Sequence, residues 1–422
     1  MNAHPGPPAD AADTVELDVT NVAHGGVSVA RLDGRVVFVS DTLPGERVRA
    51  RITERSKKSF WRADTIEAIE PSPHRVRHVW DAASIERAPE QRAGGAEFGH
   101  IALDHQRELK RRVLADALQR FGGLPEDVAS DIVVEAAPGD DERGGLGWRT
   151  RVSLHVGEDG RAGPFVARSH RVVPVDDHPL ASEAIAALQP FAQRFDGAER
   201  VDLVSPSVGG ARIIPRSEGE NAAQTITERV GTREFRLDDT GFWQVHREAA
   251  AVLTDAVTRA IDPALVDPHA ANLDLYGGVG LFAAAMGDAF GRETRVTSVE
   301  SSPRATDHAS ENLAEWVGAL AVTSRVDAYL RTLDAQAGAN ERSRLAAATV
   351  VLDPPRSGAG REVVDLLARL APAQIVYVAC DPVALARDIG LFAEHGYATR
   401  GIRAFDLFPH THHLEAVALL VR

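Results

Sequence analysis

Asn272-Leu273-Asp274-Leu275-Tyr276-Gly277-Gly278-Val279-Gly280-Leu281-Phe282-Ala283 reads as a short buried strand, a glycine turn and the opening of a helix. Small residues at 277, 278 and 280 let the backbone come close to a ligand at the mouth of the strand. A second apolar run, Thr294 to Val299, ends in Glu300, where an acid can grip ribose hydroxyls. The last glycine of a dinucleotide pattern is replaced by Ala283, so the loop alone selects no cofactor, and a turn used only for packing is the plainer alternative.

Outward from this stretch the alternation continues. An amphipathic helix is expected over Arg247 to Ile261, and strands recur at Ala346 to Leu352, Ile375 to Ala379 and Glu415 to Val421. Strands alternating with helices predict a doubly wound, Rossmann-like α/β domain over residues 236–422. Upstream, Val15 to Pro71 carries short alternating strands broken at His24-Gly25-Gly26, Asp33-Gly34 and Leu43-Pro44-Gly45, the pattern of a small β-barrel. Residues 14–73 are assigned to it and 74–235 to a mixed α+β region, with a helix over Leu103 to Phe121, strands at Trp148 to Val156 and Phe165 to Val175, one or two helices near Ala181 to Phe195, and strands around Val201 to Ile214.

Composition narrows the function classes. The chain has 422 residues, 44% hydrophobic and 26% charged, as in soluble globular proteins. No apolar run approaches spanning length, so no membrane is expected. Residues 1–13 lack a basic start and an apolar stretch and read as a disordered tail. A single cysteine excludes an internal disulfide framework and suggests the cytoplasm, and a monomer is expected. The net charge of −14 argues against a generally sticky nucleic-acid binder. RNA contact must then come from local patches. Arg47, Arg49, Arg51, Arg55, Lys57, Lys58 and Arg62, interleaved with Phe60 and Trp61, form one. Alternate residues on a strand share a face, so Arg49 and Arg51 are expected to meet RNA; a solvated edge strand is the alternative.

Three further stretches carry chemistry. Cys380 ends the apolar run Ile375 to Ala379, and Pro382 opens a helix, which places the thiol at a strand-to-helix turn. A helix N-terminus there is expected to favour the thiolate. Asp353-Pro354-Pro355-Arg356 ends a strand and can aim polar groups at a planar base; the residue after the prolines is an arginine and not a stacking aromatic, which argues against adenine N-methylation. In Phe408-Pro409-His410-Thr411-His412-His413-Leu414-Glu415, the histidines have no acidic or Cys partners at ligand spacing, so no metal is expected. Burial of Glu415 in its strand would raise its pKa toward that of a general base.

The glycine loop with Asp274 and Glu300 resembles the S-adenosylmethionine site of class I methyltransferases, and residues 14–73 resemble a TRAM domain through Gly25-Gly26, Phe38-Val39 and Leu43-Pro44-Gly45-Glu46. Over nearly its whole length the chain resembles the RNA 5-methyluracil methyltransferase family. The resemblance is sharpest at Phe242-Trp243-Gln244-Val245, at Asp274 to Gly280, at Leu352 to Arg356, at Cys380 to Asp388 and at Phe408 to Glu415. It implies methylation of carbon 5 of a uridine in tRNA or rRNA, with Cys380 as nucleophile and Glu415 as base. By the same likeness Gln244, Tyr276, Gly278, Gly280, Glu300, Asp327 and Asp353 would serve the cofactor, S-adenosylmethionine. Phe242, Asp353, Arg356 and Arg387 would face the RNA.

Many family members hold an iron-sulfur cluster. At the matching places this chain has Ala93-Gly94-Gly95-Ala96 and Pro174-Val175-Asp176-Asp177-His178, so no cluster is expected and ordinary packing must hold the region. Two other readings compete. Cytosine-5 methylation commonly uses a Pro-Cys pair, whereas residue 379 is Ala. A catalytically inactive RNA-binding module would need neither Cys380 nor Glu415.

Overall fold

A computed structural model describes residues 13–57, 59–167, 169–217 and 223–422. The tail expected over 1–13 thus lies almost wholly outside the described residues, as does Lys58.

Five strands close the N-terminal barrel: β1 (Thr14–Ala23), β2 (Val27–Leu32), β3 (Arg35–Ser40), β4 (Arg47–Glu54) and β5 (Phe60–Glu70), in the order β1-β2-β3-β5-β4. Their inward residues, Leu17, Val19, Ala30, Val37, Val39, Val48, Ala50, Ile52 and Ala63, form its core. Each full burial of a Val, Leu or Ile side chain contributes roughly 1.5–3 kcal/mol.

After the barrel come α1 (Leu103–Arg120), α2 (Glu126–Ser130) and β6 (Val134–Ala136). A four-stranded sheet follows, ordered β10-β9-β7-β8, from β7 (Arg151–Val156), β8 (Ala162–Gly163), β9 (Arg200–Val204) and β10 (Arg212–Arg216). Where one or two helices were expected near Ala181 to Phe195 stand a short helix, α3 (Glu183–Ala186), and a 3-10 turn, Pro190–Ala192. Phe165 to Val175 forms no strand: the alternation there yields single bridges, Ala93 to Val166 and Phe165 to Val172. A hairpin, β11 (Thr225–Val230) and β12 (Arg233–Asp238), leads to α4 (Ala249–Ala260).

The C-terminal layer is then wound as β13 (Asn272–Leu275), α5 (Leu281–Phe290), β14 (Val296–Glu300), α6 (Pro303–Asn312), β15 (Ala319–Thr323), α7 (Val326–Gln336), α8 (Ala339–Ala346), β16 (Thr349–Leu352), α9 (Gly360–Leu370), β17 (Gln374–Ala379), α10 (Pro382–Glu394), β18 (Ala398–Asp406) and β19 (Glu415–Val421). Its sheet runs β15-β14-β13-β16-β17-β19-β18-β6. β13 to β17 are parallel, and β19 is antiparallel to both β17 and β18. Parallel strands covered on both faces must be apolar throughout, and Thr349–Leu352 and Gln374–Ala379 are buried at every position. Two features are not visible as periodicity. β18 is broken by a register shift at Thr399/Gly401, and β6 is a three-residue strand taken from far upstream, paired parallel to β18. α1 packs along α10, placing Leu114 and Leu118 in the same core as Ile389 and Phe392. The strand order reverses at β13 and β16, and the crevice beyond their C-terminal ends is where such sheets bind ligands. No helix among the described residues is long and apolar enough to cross a membrane.

Candidate active site

β13 stops at a turn that only small residues allow. A Cβ on Gly277 would sit 2.1 Å from Ser298 Oγ and 2.7 Å from Asp274 Oδ2. Gly278, at φ 55°, has open space where its side chain would be. Asp274 is fully buried; its Oδ2 accepts from the Ala283 amide at 3.0 Å and from Ser298 Oγ at 3.2 Å, which ties β13 to the start of α5. Its Oδ1 has no partner, and burial pushes its pKa up to about 7. At the end of β14, Glu300 Oε2 accepts from the Gly278 amide at 3.3 Å, and Oε1 accepts from the Ser302 amide at 2.8 Å. Backbone open to a ligand thus stands beside an acid fixed by backbone amides. Gly280 packs inward: a Cβ there would meet Leu313 at 3.1 Å.

Cys380 leaves β17 half-buried. Burial pushes its thiol up to about 12, with Glu415, Asp353 and Asp381 adding to the shift and Arg356 opposing it. This reverses the expectation that the helix would favour the thiolate. Burial outweighs what the helix end offers, and that end is taken: Asp381 caps α10, and its Oδ1 accepts from the Val383 and Ala384 amides at 3.0 and 2.8 Å. A carboxylate already occupies the positive end of the helix.

The β17/β19 pairing sets Ala379 opposite Ala416, so Glu415 emerges beside the thiol's strand end. It is 4% exposed, its Oε2 has no partner, and burial, then the Asp353 charge, hold its pKa well above the carboxylate range. Asp353 is pushed up to about 7 by burial and by Asp274. Arg356 donates to His413 Nε2 at 3.3 Å, and burial, with His412 nearby, keeps that imidazole neutral.

One cavity of about 1080 Å³ brings together Phe242, Gln244, Tyr276, Gly278, Glu300, Asp327, Asp353, Arg356, Cys380 and Glu415. Phe242 is 72% exposed at its edge. Asp327 is held by Arg325 at 3.0 Å and Arg331 at 3.2 Å. Arg387 is not part of the lining: it donates to the Ser357 carbonyl at 2.7 Å and pairs with Asp388 at 2.8 Å. Sequence reasoning missed Asp388 itself, whose Oδ2 accepts from Tyr377 Oη at 2.6 Å and from the Ala359 amide at 2.8 Å, bracing the segment that follows Asp353-Pro354-Pro355-Arg356. It also missed Ser302 and Arg325, which line the same cavity; single polar residues in turns give no periodic signal. No group of three or more His, Cys, Asp or Glu among the described residues is placed to hold a metal ion.

In the barrel's basic stretch the arginines are paired with acids. Arg47 pairs with Glu16 at 2.9 Å, Arg49 with Glu67 and Glu16, Arg51 with Glu90, Arg55 with Asp13 at 2.9 Å and Arg62 with Glu54 at 3.3 Å. Arg35 and Arg55 lie over the Trp61 ring at 4.4 and 4.9 Å, and Arg62 lies 5.5 Å from Phe60. Ala93 and Ala96 are buried with Trp80, Trp148, Val166 and Val175, and His178 leans on Trp80 at 4.8 Å.

Residues 226–422 match the family model described as tRNA (Uracil-5-)-methyltransferase, and residues 12–60 match that of the TRAM domain. A protein of Streptomyces coelicolor named as an uncharacterized RNA methyltransferase is 38% identical over 438 residues, covering 96% of this chain and 92% of its own. One of Bifidobacterium longum, similarly named, is 34% identical, with 96% of each chain covered. The solved tRNA (uracil-54, C5)-methyltransferase of Pyrococcus abyssi, in complex with S-adenosyl-L-homocysteine, superposes with a TM-score of 0.68 over 96% of this chain and 100% of its own; at 21% identity this shows a common fold.

Proposed function

The chain belongs to the tRNA (uracil-5-)-methyltransferase family, S-adenosylmethionine-dependent RNA methyltransferases, here with a TRAM domain, and from that premise we propose that it methylates carbon 5 of a uridine in transfer or ribosomal RNA through a covalent bond to Cys380. The observation that supports this best is one cavity lined by the chain's one thiol, by buried Glu415, whose Oε2 has no hydrogen-bond partner among the described residues, and by Glu300.

Glu300 would hold the cofactor's ribose, Asp327 its adenine, and Gln244, Tyr276 and the Gly278 backbone the rest. When bound, the cofactor supplies a methyl group activated on a sulfonium. Carbon 5 of uracil is a poor nucleophile. Attack of the Cys380 thiolate on carbon 6 makes carbon 5 electron-rich and able to accept the methyl. Glu415 then removes the carbon 5 proton, and elimination breaks the sulfur-carbon bond. Burial that favours the protonated carboxyl also makes the carboxylate, once formed beside Arg356, a strong base. A paired uracil hides carbon 6, so the nucleotide must be unpaired or flipped out, and exposed Phe242 at the cavity edge would stack on it. Arg356 and Asp353 would face the base. A division at 14–73, 74–235 and 236–422 completes this reading.

The test separates the two steps. Glu415→Gln should permit attack and methyl transfer but stall elimination, leaving a protein-RNA adduct that survives denaturing electrophoresis. Cys380→Ala should give none. RNA carrying 5-fluorouridine should trap the parent in the same way. Absence of adduct from both the parent and the Gln variant, on an RNA shown to bind, would remove Cys380 as nucleophile.

A further inference from the structure

The turn between β1 and β2 reaches out of the barrel into the catalytic layer. His24 Nε2 lies 2.8 Å from Asp381 Oδ2, a contact across 357 residues of sequence. Asp381 is therefore held from two sides, Oδ1 by the first amides of α10 and Oδ2 by the barrel. The next contact is steric. Gly26, at φ 75°, fits so closely against His412 that a Cβ would meet its Nδ1 at 2.9 Å. One barrel turn thus touches the residue after Cys380 and the histidine three before Glu415. A second cavity, of about 560 Å³, opens beside it and is lined by His24, Phe38, Arg62, Arg92 and His412.

We propose that this turn is part of the catalytic machinery, with His24 as a positioning residue that fixes Asp381 and shields the Cys380 thiol from its charge. The inference rests on the reading of Cys380 as nucleophile. Two physical effects support it. Asp381 directly precedes α10 and follows the thiol, so freeing its outer oxygen loosens the backbone that aims the sulfur. The Asp381 charge is also among those that raise the thiol's pKa, while Asp381 in turn draws the His24 imidazole toward its protonated form. A cation on Asp381 offsets that field. RNA docking on the barrel would then act on the turn that holds the nucleophile's neighbour.

The single cysteine gives a readout that needs neither RNA nor cofactor. At pH 6.5, where a pKa raised above the usual imidazole value leaves most of His24 protonated, His24→Ala should slow alkylation of Cys380 by iodoacetamide about threefold, because the thiolate becomes harder to form. With S-adenosylmethionine and saturating 5-fluorouridine RNA, adduct formation in the first turnover should slow about tenfold while RNA affinity stays within about twofold. His24→Gln can donate the same hydrogen bond without a charge, so it should recover most of the turnover rate but not the alkylation rate. Parent-like rates of both reactions in His24→Ala would overturn the proposal, as would a loss confined to RNA affinity, which would make His24 an RNA contact. If the parent itself forms no adduct, the Cys380 reading fails, and the alkylation comparison still decides whether His24 governs the thiol.

Discussion

On the barrel, Arg47, Arg49, Arg51, Arg55 and Arg62 each meet an acid across a strand or a loop, and most of these side chains stand in water. At the cavity, part-buried Asp353 and buried Glu415 line the wall and Asp274 is buried at the foot of its glycine turn, with no salt bridge to any of them among the described residues. Exposed pairs are close to neutral for stability, whereas buried unpaired acids cost free energy. A fold keeps such a cost where chemistry requires it. The two regions should therefore respond oppositely to losing a charge: the cavity should become more stable and less active, the barrel slightly less stable.

The largest effect is expected at Asp353. Its pKa is raised to about 7, so the folded state binds a proton that the unfolded chain has already released. The stability linked to that proton is fully present below about pH 4 and is lost as pH rises toward 7. Asp353→Asn removes the dependence and should stabilise the protein at pH 8 by ~2–4 kcal/mol, with little gain at pH 4, while methyl transfer falls. Thermal midpoints of parent and variant across that range check this. A variant less stable than the parent at pH 8 would mean the carboxylate is compensated after all.

Next in size is Glu300. Its carboxylate is already oriented by the Gly278 and Ser302 amides, so ribose hydroxyls would meet a fixed acceptor. Glu300→Ala should weaken S-adenosylmethionine binding by about 1.5–3 kcal/mol in calorimetry, the scale of hydrogen bonds to a charged group. Unchanged affinity would detach the glycine loop from the cofactor.

These contrasts also mark what the sequence could disclose. Strand ends, glycine turns and Cys380 are local patterns, and Tyr276, Gly278, Glu300, Asp353, Cys380 and Glu415, which they named, meet in one cavity. Pairings across the fold are not local. Glu90 lies 39 residues from Arg51, and Glu16 faces Arg49 only because β1 and β4 pair in that register. A basic run therefore looked free when its partners were simply elsewhere in the chain. The thiol shift was hidden because burial and the approach of Glu415 and Asp353 come from packing across the fold, while Asp381, next to Cys380 in sequence, acts as a cap only through its side-chain geometry. β18 escaped detection because Gly401 and Arg403 interrupt its alternation, and β6 because three residues carry no period.

The smallest effects should lie on the barrel, and they decide which of its faces meets RNA. Arg49 and Arg51 already have acids as partners, so a phosphate would have to displace them. Arg35 has no acid partner among the described residues and lies over Trp61, joining a cation to an aromatic surface. Truncating Arg49 should cost only ~0.2–1 kcal/mol of stability, as exposed pairs do. For RNA, Arg35→Ala should reduce the slope of log affinity against log salt by about 0.7–0.9, the release of one counterion, and Arg51→Ala by clearly less. Affinity titrations at several salt concentrations measure both slopes. A larger loss for Arg51→Ala would show that RNA breaks the Arg51–Glu90 pair on binding, and the paired face would then be the RNA face.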